Sequence, residues 1–436
     1  MKRNLLLESS QNTQCEKVVI TGMGIISSIG KDLAEFEESL KAGRSGIGIL
    51  NSSNKPSQSN IGASVSDFSF ETKVKSHLQP EYNELLKGAL NLGKRAPVSV
   101  KCSIASAVEA WIMARLHEKQ VYGRRTGIII AGSNLSCGYQ YGLYKDFVDA
   151  PEYLSPTYAM YFMDTDHLAA VSQLLGIHGE GYTTGGASAS GNVGIINGYR
   201  LIKNGIVDVC VVIGAMADLS PMEIQGFINI GALGGKKYWS KPESACRPFD
   251  IEHEGFIYGQ AAACLVLESY NSALIRDVPV LAEIMGGAIV IDGNRKPDPN
   301  EEGEAAAMRH AIESAGLQKE DIDYINAHGS ASPLGDSTEV GAIKSVFKEC
   351  LSNIYVNSTK SLTGHCLFSA GVVEAVSTII QLRGGFIHPN LNLDNPISTD
   401  ICFAGRESIN KESNIGMSNS FGFGGINSSI IIKKGV

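Results

Sequence analysis

The sequence predicts an α/β protein with a mostly parallel sheet that is covered by helices on both faces. Residues 126–132 and 207–214 are continuous apolar runs rich in β-branched side chains, which is typical of strands buried on both faces. Segments with the helical spacing of apolar residues separate such runs, as in βαβ units. Near Val278 the alternation begins again, so we expect two comparable α/β halves.

The same patterns predict the individual elements. In the first half we expect strands at residues 18–21, 126–132, 207–214 and 261–267, and helices at 33–42, 86–115 (one or two) and 193–204. In the second half we expect strands at 280–290, 322–327 and 430–432, and helices at 302–315, 338–347 and 371–382. Residues 51–80 are polar without a period and predict a surface loop. Residues 135–165 are rich in Tyr and Met, and they either line a pocket or a subunit contact or form an ordinary covering loop.

Composition argues against several classes of function. Of the 436 residues, 43% are hydrophobic and 19% are charged, and the net charge of −8 leaves no basic domain for nucleic acid. No apolar run approaches the roughly 20 residues that cross a bilayer, and the apolar residues 5–7 are too few for a signal-peptide core. We therefore expect no nucleic-acid partner, no membrane association and a cytoplasmic location.

Neither a metal nor a bound cofactor is expected. The nine cysteines are scattered and none forms a Cys-x-x-Cys pair, so the sequence indicates neither a disulfide framework nor a zinc site. Residues 22–30 follow the first strand as a dinucleotide-binding loop would. However, Ser27 stands where the third glycine of Gly-x-Gly-x-x-Gly belongs, which argues against that site.

A run of small residues at 181–192 surrounds one central hydroxyl, that of Ser188. Apolar residues at helical spacing follow it, so the run predicts a tight turn that opens onto a helix N-terminus. Free backbone N–H groups and the positive end of the helix dipole favour a developing anion there. A nucleophile or an oxyanion would therefore be stabilised at Ser188.

Three further polar segments rich in glycine lie between apolar elements, at residues 326–339, 357–365 and 419–427. Together, His328, His365 and Lys360 would form a cationic or hydrogen-bond-donating pocket for an acyl carbonyl or carboxylate. In the last segment, Phe421 and Phe423 stand among glycines, as a mobile flap or as two anchoring aromatics in a turn.

These four segments, in this order, resemble the β-ketoacyl-acyl-carrier-protein synthases, the elongating ketosynthases of fatty-acid and polyketide synthesis. The resemblance extends from residue 18 to residue 432. It includes Arg-Pro-Phe-Asp at 247–250, Ala-His-Gly at 327–329, Lys-Ser-Leu-Thr-Gly-His at 360–365 and Asn-Ser-Phe-Gly-Phe-Gly-Gly at 419–425.

The resemblance implies a thiolase-like fold, with two similar α/β halves in five α-β-α-β-α layers, and a homodimer. The expected organisation is a tail at residues 1–16, an N-terminal half at 17–272 and a C-terminal half at 273–436. The first half carries Ser188 and the second carries both histidines. The implied partner is an acyl carrier protein, whose phosphopantetheine arm arrives with the substrate, so no cofactor of the chain's own is expected.

Family members use a cysteine and two histidines, and His328 and His365 align with these histidines. The other implied positions are Lys360, which joins the catalytic set, and the supporting, oxyanion or gating residues Glu339, Phe421, Asn419 and Phe423. Phe421 aligns with a gating phenylalanine, whose backbone N–H forms the oxyanion hole together with that of the nucleophile.

The family's nucleophilic cysteine aligns with Ser188, which is a departure from the pattern. A thiol near a helix terminus ionises usefully close to neutral pH, whereas a serine hydroxyl needs a strong adjacent base. Condensation should therefore be impaired, and Cys366 is no substitute because it aligns beyond His365. Decarboxylation of a malonyl group requires only that the thioester carbonyl be polarised, which two histidine donors achieve without a covalent step.

A subgroup of ketosynthase-like proteins with this serine decarboxylates malonyl-carrier protein to acetyl-carrier protein. It belongs to cassettes that install β-branches on polyketides, where the pathway partner is a hydroxymethylglutaryl-CoA-synthase-like enzyme. The sequence around Ser188 resembles that subgroup. This resemblance implies malonyl-acyl-carrier-protein decarboxylation, which feeds β-branch formation in polyketide biosynthesis.

Two alternatives stay open. Ser188 could be the nucleophile of a hydrolase, an acyltransferase or a condensing enzyme. However, Ser190 replaces the last glycine of Gly-x-Ser-x-Gly, and residues 178–184 are not the apolar strand that such an elbow requires. Alternatively, the chain could be a non-catalytic, chain-length-factor-like partner of a ketosynthase. The lysines Lys236 and Lys237 are a candidate docking patch for an acidic carrier protein, or an ordinary solvated charge pair.

Overall fold

The computed structural model describes residues 16–50, 60–77, 79–118 and 123–435. Most of the predicted tail at 1–16, and part of the loop predicted at 51–80, lie outside these residues. The strands are β1 (Val18–Ser27), β2 (Ile47–Ile49), β3 (Ile61–Ala63), β4 (Thr126–Ala131), β5 (Gly181–Thr184), β6 (Val209–Gly214), β7 (Ala261–Ser269), β8 (Ala282–Ile291), β9 (Tyr324–Asn326), β10 (Tyr355–Asn357), β11 (Phe386–Ile387), β12 (Cys402–Phe403), β13 (Ile409–Asn410), β14 (Ile415–Gly422) and β15 (Ile426–Lys434).

The helices alternate with these strands along most of the chain. They are α1 (Leu33–Ala42), α2 (Phe70–Lys75), α3 (Asn83–Gly93), α4 (Val98–Met113), α5 (Cys137–Asp149), α6 (Tyr158–Tyr161), α7 (Thr165–Leu175), α8 (Ser190–Lys203), α9 (Pro221–Asn229), α10 (Tyr270–Arg276), α11 (Glu301–Ser314), α12 (Pro333–Phe347), α13 (Lys360–Thr363) and α14 (Ala370–Gly384).

Eleven strands form one sheet in the order β12-β10-β9-β14-β15-β8-β1-β7-β6-β4-β5. Its two ends are parallel, but the five consecutive pairs from β14 to β6 are antiparallel. The prediction of a mostly parallel sheet is therefore wrong. Strands buried on both faces give continuous apolar runs in either direction, so the sequence pattern does not distinguish the two pairings.

Helices divide the molecule into five layers. The outer face of the first half of the sheet is covered by α4 and α7, and that of the second half by α11 and α12. Between the two halves of the sheet lie α8 and α14, whose apolar side chains contact strands of both. Each fully buried aliphatic side chain in these interfaces contributes about 1.5–3 kcal/mol.

Two glycines bring the central helices together at their N-terminal ends. A Cβ atom added to Gly191 in α8 would lie 2.7 Å from the backbone of Gly371 in α14, so any larger residue at 191 would separate the helices. This close approach places the turn before α8 beside the segment before α14. Those two segments carry Ser188 and His365.

Several predicted elements differ from the structure in detail. The helical region at 86–115 is two helices, because Pro97 lacks a backbone N–H and follows the end of α3. The loop predicted at 51–80 contains β3 and α2. Gly22 and Gly24 lie within β1, where added Cβ atoms would meet backbone oxygens of α4 at 2.1 and 2.0 Å. These glycines therefore allow close packing of β1 on α4.

The predicted boundary between the halves, at residues 272 and 273, falls inside α10, and it stays a prediction. In the structure, β1 pairs with β7 of the first half and with β8 of the second, so the sheet is continuous. Among the helices that the structure describes, none is long and apolar enough to cross a membrane.

Candidate active site

Ser188 lies in the turn between β5 and α8, as predicted. The turn is a single 3-10 turn at Ala187–Ala189, and Ala187 has a φ of 48°, which is strained for a residue with a Cβ atom. A short strand, β5, precedes this turn and pairs with β4, but it is not the apolar strand of a nucleophile elbow, in agreement with the sequence. As an edge strand with exposed or half-buried residues, β5 lacks the apolar pattern that would have revealed it.

His365 contacts Ser188 directly, with Nε2 2.9 Å from Oγ. Its Nδ1 accepts a hydrogen bond from the backbone N–H of Leu367 at 3.2 Å. A neutral imidazole has one protonated nitrogen, so the hydrogen lies on Nε2 and Ser188 Oγ is the acceptor. In this tautomer His365 is a hydrogen-bond donor and not a base for the serine hydroxyl.

His328 is held in the same tautomer by Lys360. The Lys360 ammonium donates to the backbone oxygen of His328 at 2.6 Å and lies 3.4 Å from its Nδ1. Nδ1 is therefore the acceptor, and Nε2 carries the hydrogen. The two histidine rings are 5.4 Å apart, nearly perpendicular, and both line one cavity. Nε2 of His328 has no hydrogen-bond partner among the residues described.

Both histidines are neutral near physiological pH. Burial and the neighbouring Lys360 ammonium hold the pKa of His365 well below its usual value. The pKa of His328 is also held well below its usual value, by burial, by Lys360 and by His365. Two neutral N–H donors thus lie beside the cavity. Such donors stabilise a negative oxygen and do not themselves require a counter-ion.

Glu374 also belongs to the site, although the sequence did not lead us to predict it. This carboxylate forms a buried ion pair with Lys360, whereas Glu339, the predicted supporting glutamate, makes no contact with that lysine. A carboxylate inside the apolar run at 371–382 was the available signal, because an unpaired buried charge is too costly to retain. Burial raises the pKa of Glu374, and Lys360 opposes this shift.

Glu339 instead holds the turn after β9. Its two carboxylate oxygens accept the backbone N–H groups of His328 at 2.8 Å and Gly329 at 2.7 Å. Oε1 also accepts from the Asn419 amide at 3.2 Å. Burial raises the pKa of Glu339 to about 7, although all three donors favour the anion. Glu339 and Asn419 therefore position His328 and do not line the cavity themselves.

Phe421 and Phe423 occupy different environments. The ring of Phe421, at the end of β14, is 6% exposed and lies 5.7 Å from the His328 ring, whereas Phe423 is 43% exposed. The backbone after Phe421 contacts the turn that carries the serine, since a Cβ on Gly422 would lie 3.2 Å from the backbone nitrogen of Ser188. The segment predicted to gate the site therefore lies against it.

Ser188, His328, His365, Phe421 and Phe423 all line one cavity of about 640 Å³. Its other walls include residues of α5, α9, α11, α12 and the segment between β8 and α11. This volume is sufficient for a small acyl group with part of a carrier arm. Cys366 does not line it, and burial raises the pKa of its thiol to about 12, so the thiol stays protonated.

The candidate docking lysines lie on the surface. Lys237 forms an ion pair with Glu252, with Nζ 3.1 Å from Oε2, and only Lys236 of the two has no acidic partner in the described part of the chain. The positive charge of Lys237, one of the two lysines in the predicted patch, is thus compensated by a neighbouring carboxylate.

Comparison with known proteins identifies the family. A family model described as the β-ketoacyl synthase N-terminal domain matches residues 15–273, and one described as the C-terminal domain matches residues 281–394. The chain belongs to the β-ketoacyl synthase family. The resemblance found in the sequence is therefore confirmed.

This β-ketoacyl synthase-family chain has well-matched relatives. It is 37% identical to the polyketide biosynthesis malonyl-ACP decarboxylase PksF of Bacillus subtilis (strain 168), over 97% of this chain and 98% of the relative. It is also 33% identical to the chloroplastic 3-oxoacyl-acyl-carrier-protein synthase I of Hordeum vulgare, over 95% of this chain and 88% of the relative.

Solved structures of the family share the fold. A β-ketoacyl synthase from Burkholderia phymatum STM815 matches with a TM-score of 0.84 and 26% identity, over 96% of this chain and 99% of that one. The ishigamide ketosynthase/chain length factor matches with a TM-score of 0.82 and 27% identity over the same shares. An acyl-carrier protein in complex with its ketosynthase, AntDE:AntF, matches with a TM-score of 0.83 at 24% identity, over 97% of this chain and 100% of that one. The predicted thiolase-like α/β fold is confirmed.

Proposed function

We propose that this protein removes carbon dioxide from a malonyl group on an acyl carrier protein and leaves an acetyl group. The hydrogen bond from His365 Nε2 to Ser188 Oγ is the observation that carries the proposal. Since Leu367 occupies Nδ1, His365 cannot take the serine proton, and Ser188 lacks an activating base. The likeness to a relative named as a malonyl-ACP decarboxylase supports the same chemistry.

In this reaction the malonyl thioester enters the cavity with its carbonyl oxygen toward Nε2 of His328 and His365, and this oxygen replaces Ser188 Oγ as the acceptor of the His365 N–H. The bond between the α-carbon and the carboxylate breaks, its electron pair moves onto the α-carbon, and carbon dioxide leaves. Charge spreads to the carbonyl oxygen, where the two N–H donors stabilise the enolate. The α-carbon then takes up one proton. Ser188 helps to orient the substrate and forms no bond to it.

We further propose that an acyl carrier protein supplies the phosphopantetheine arm, and that the chain needs no metal and no cofactor of its own. The pathway would be polyketide β-branching, with a hydroxymethylglutaryl-CoA-synthase-like partner. The cytoplasmic location stays a prediction. The proposed docking region is the segment between β8 and α11, which supplies residues to the cavity wall and in which Arg295 and Lys296 are exposed and have no acidic partner in the described ranges.

We also propose a homodimer. The sheet ends at β5, whose outer edge pairs with no strand among the residues that the structure describes, and an unpaired edge favours pairing with a second strand. Nearby helices α5 to α7 expose large apolar side chains: Tyr141, Tyr144, Phe147, Tyr153, Met160 and Phe162. Light scattering on the purified protein tests this, and Tyr144→Lys should favour the monomer. A wild-type monomer at all concentrations would contradict the proposal.

The decisive experiment follows malonyl-loaded carrier protein by mass spectrometry in the presence of the purified chain. Wild type should convert it to acetyl-carrier protein, while His328→Ala and His365→Ala should each be slower by about 10²–10³-fold. His310→Ala, an exposed histidine of α11, is the control and should equal wild type. Malonyl-carrier protein that persists with several carriers would refute the proposal, and the chain-length-factor-like role would then lead.

A further inference from the structure

A buried carboxyl group lines the cavity and takes no part in the contacts described so far. Glu304 lies in the first turn of α11 and is 1% exposed. Its Oε2 is buried without a hydrogen-bond partner, and neither oxygen has a hydrogen bond or an ion pair among the described residues. Buried carboxyl groups are normally satisfied, so this one requires an explanation.

The groups that face Glu304 are acidic. They are Asp292 after β8, Glu339 and Asp336 on α12, and Glu301 on its own helix. Burial first, and then these carboxylates, raise the pKa of Glu304 well above its usual value. The side chain is therefore a neutral acid that holds a transferable proton within the wall of the cavity.

A short series of contacts connects α11, the helix that carries Glu304, to the histidine site. Met308, one helical turn later, touches the Asn419 amide through Sδ at 3.5 Å. That amide donates to Glu339, which holds the backbone N–H of His328. Glu304 thus lies on the wall of the cavity that also carries His328.

Decarboxylation without condensation creates a particular chemical need. In a condensing enzyme the α-carbon of the enolate attacks an acyl group. In a decarboxylase it must receive a proton instead. His328 and His365 are directed to the carbonyl oxygen, so a different group has to supply that proton. A neutral carboxylic acid in the cavity has the required chemistry.

We propose that Glu304 is the acid that protonates the α-carbon of the enolate after carbon dioxide leaves. This inference rests on the proposed function. The electron pair on the α-carbon forms a C–H bond with the carboxyl proton of Glu304, and the O–H bond breaks to leave a carboxylate. Water that enters the cavity returns a proton to Glu304. The net reaction consumes one proton and converts a malonyl thioester into an acetyl thioester and carbon dioxide.

The test compares wild type with Glu304→Gln, which keeps the shape of the side chain and lacks the acidic proton. The matched control is Glu302→Gln, which alters an exposed carboxylate of the same helical turn that does not line the cavity and is not among the acids that face Glu304. Acetyl-carrier protein formation from malonyl-carrier protein is measured in a single turnover. A second readout is the deuterium fraction of the product methyl group formed in an equal mixture of H₂O and D₂O.

We expect Glu304→Gln to form acetyl product at least about 10²-fold more slowly, with a changed deuterium fraction, while Glu302→Gln matches wild type. The deuterium fraction identifies the proton donor, so a purely structural role would leave it unchanged. Equal rates and equal deuterium fractions in wild type and Glu304→Gln would overturn the inference. A wild type that releases no carbon dioxide would overturn the proposed function and this inference with it.

If Glu304→Gln does not fold, Glu304→Asp takes its place in the same assay. Aspartate retains an acidic proton but withdraws it from the cavity. The expected result is slower formation of acetyl product with the wild-type deuterium fraction. An unchanged rate would overturn the inference.

Discussion

His365 donates a hydrogen bond to Ser188 across 2.9 Å, and the backbone N–H of Leu367 fixes the direction of that bond by occupying the other ring nitrogen. The usual relation between a nucleophilic serine and its histidine is the reverse, with the imidazole accepting the proton. The geometry therefore separates the site from that of a serine hydrolase, although both have a serine and a histidine in contact.

Replacing Ser188 should accordingly have a small effect on decarboxylation. Because one neutral hydrogen bond contributes about 0.5–1.5 kcal/mol, Ser188→Ala should change the rate of carbon dioxide release by at most about tenfold. Ser188→Cys should gain condensation with an acyl-thioester donor. Intact-mass spectrometry of the wild type should find no acyl group on the chain. An acyl-Ser188 adduct, with activity abolished in Ser188→Ala, would establish the covalent alternative.

Substitutions of Lys360 and Glu374, which form a buried ion pair, should have strongly non-additive effects on the free energy of unfolding. Lys360→Met leaves Glu374 as an uncompensated buried charge and should lower the free energy of unfolding by about 3–5 kcal/mol. The double variant Lys360→Met/Glu374→Leu should recover part of that loss, yet remain slow in decarboxylation because His328 loses its donor. Urea unfolding and a rate assay on wild type, Lys360→Met, Glu374→Leu and the double variant together make a double-mutant cycle. Simple additivity of the two stability changes would contradict direct pairing.

Charge reversal in the segment between β8 and α11 should weaken carrier docking alone. The double variant Arg295→Glu/Lys296→Glu should raise KM for malonyl-carrier protein by roughly tenfold or more, because like charges then face an acidic partner. Decarboxylation of malonyl-pantetheine, which has no protein surface, should be unaffected. Lys237→Glu is the comparison, and it should have a smaller effect because Glu252 already compensates Lys237. Equal effects on both substrates would place these residues in acyl binding.

The buried acid of α11 should make stability depend on pH. The folded-state pKa of Glu304 lies above its value of about 4.5 in the unfolded chain, so the folded protein holds a proton that the unfolded chain releases. The stability associated with this group is fully present below the unfolded pKa. As pH rises toward the folded pKa, the free energy of unfolding falls by about 1.4 kcal/mol per pH unit. Glu304→Gln removes this dependence. Urea unfolding between about pH 5 and 8 should show that the free energy of unfolding of the variant increasingly exceeds that of wild type as pH rises. Parallel plots of this free energy against pH for the two proteins would contradict a raised pKa of Glu304.

The motifs of the sequence, together with the resemblance to the ketosynthases, were enough to predict most of the residues that meet at the site. Ser188, His328, His365 and Lys360 each follow or precede an apolar element, and the structure brings all four together. Glu374 was missed because a choice between two glutamates depends on which helix packs beside Lys360, which the spacing along the chain does not determine. Glu304 was missed because the run Glu301-Glu302-Gly303-Glu304 has the composition of a solvated helix start, and only one of its acids points inward.

The fold shows the same division between local and long-range information. Helix α1 ends at its predicted residue because Gly43 adopts a left-handed conformation, which is a local property. The direction of the central strands depends on pairing between β1, β7 and β8, which are far apart in the chain. No short stretch of sequence contains that information.

The pairing of β1 with both β7 and β8 also bears on how the chain acquires its structure. Strand β1 leaves the ribosome long before its partners β7 and β8, which lie more than 200 residues later in the chain. Contacts of such large sequence separation make folding slow, because the loop between the partners must close before the pairing stabilises it. Until β7 emerges, the apolar β1 has no permanent neighbour in the sheet. Refolding from denaturant should therefore be slow and prone to aggregation, and fragments divided between the two halves should not fold separately.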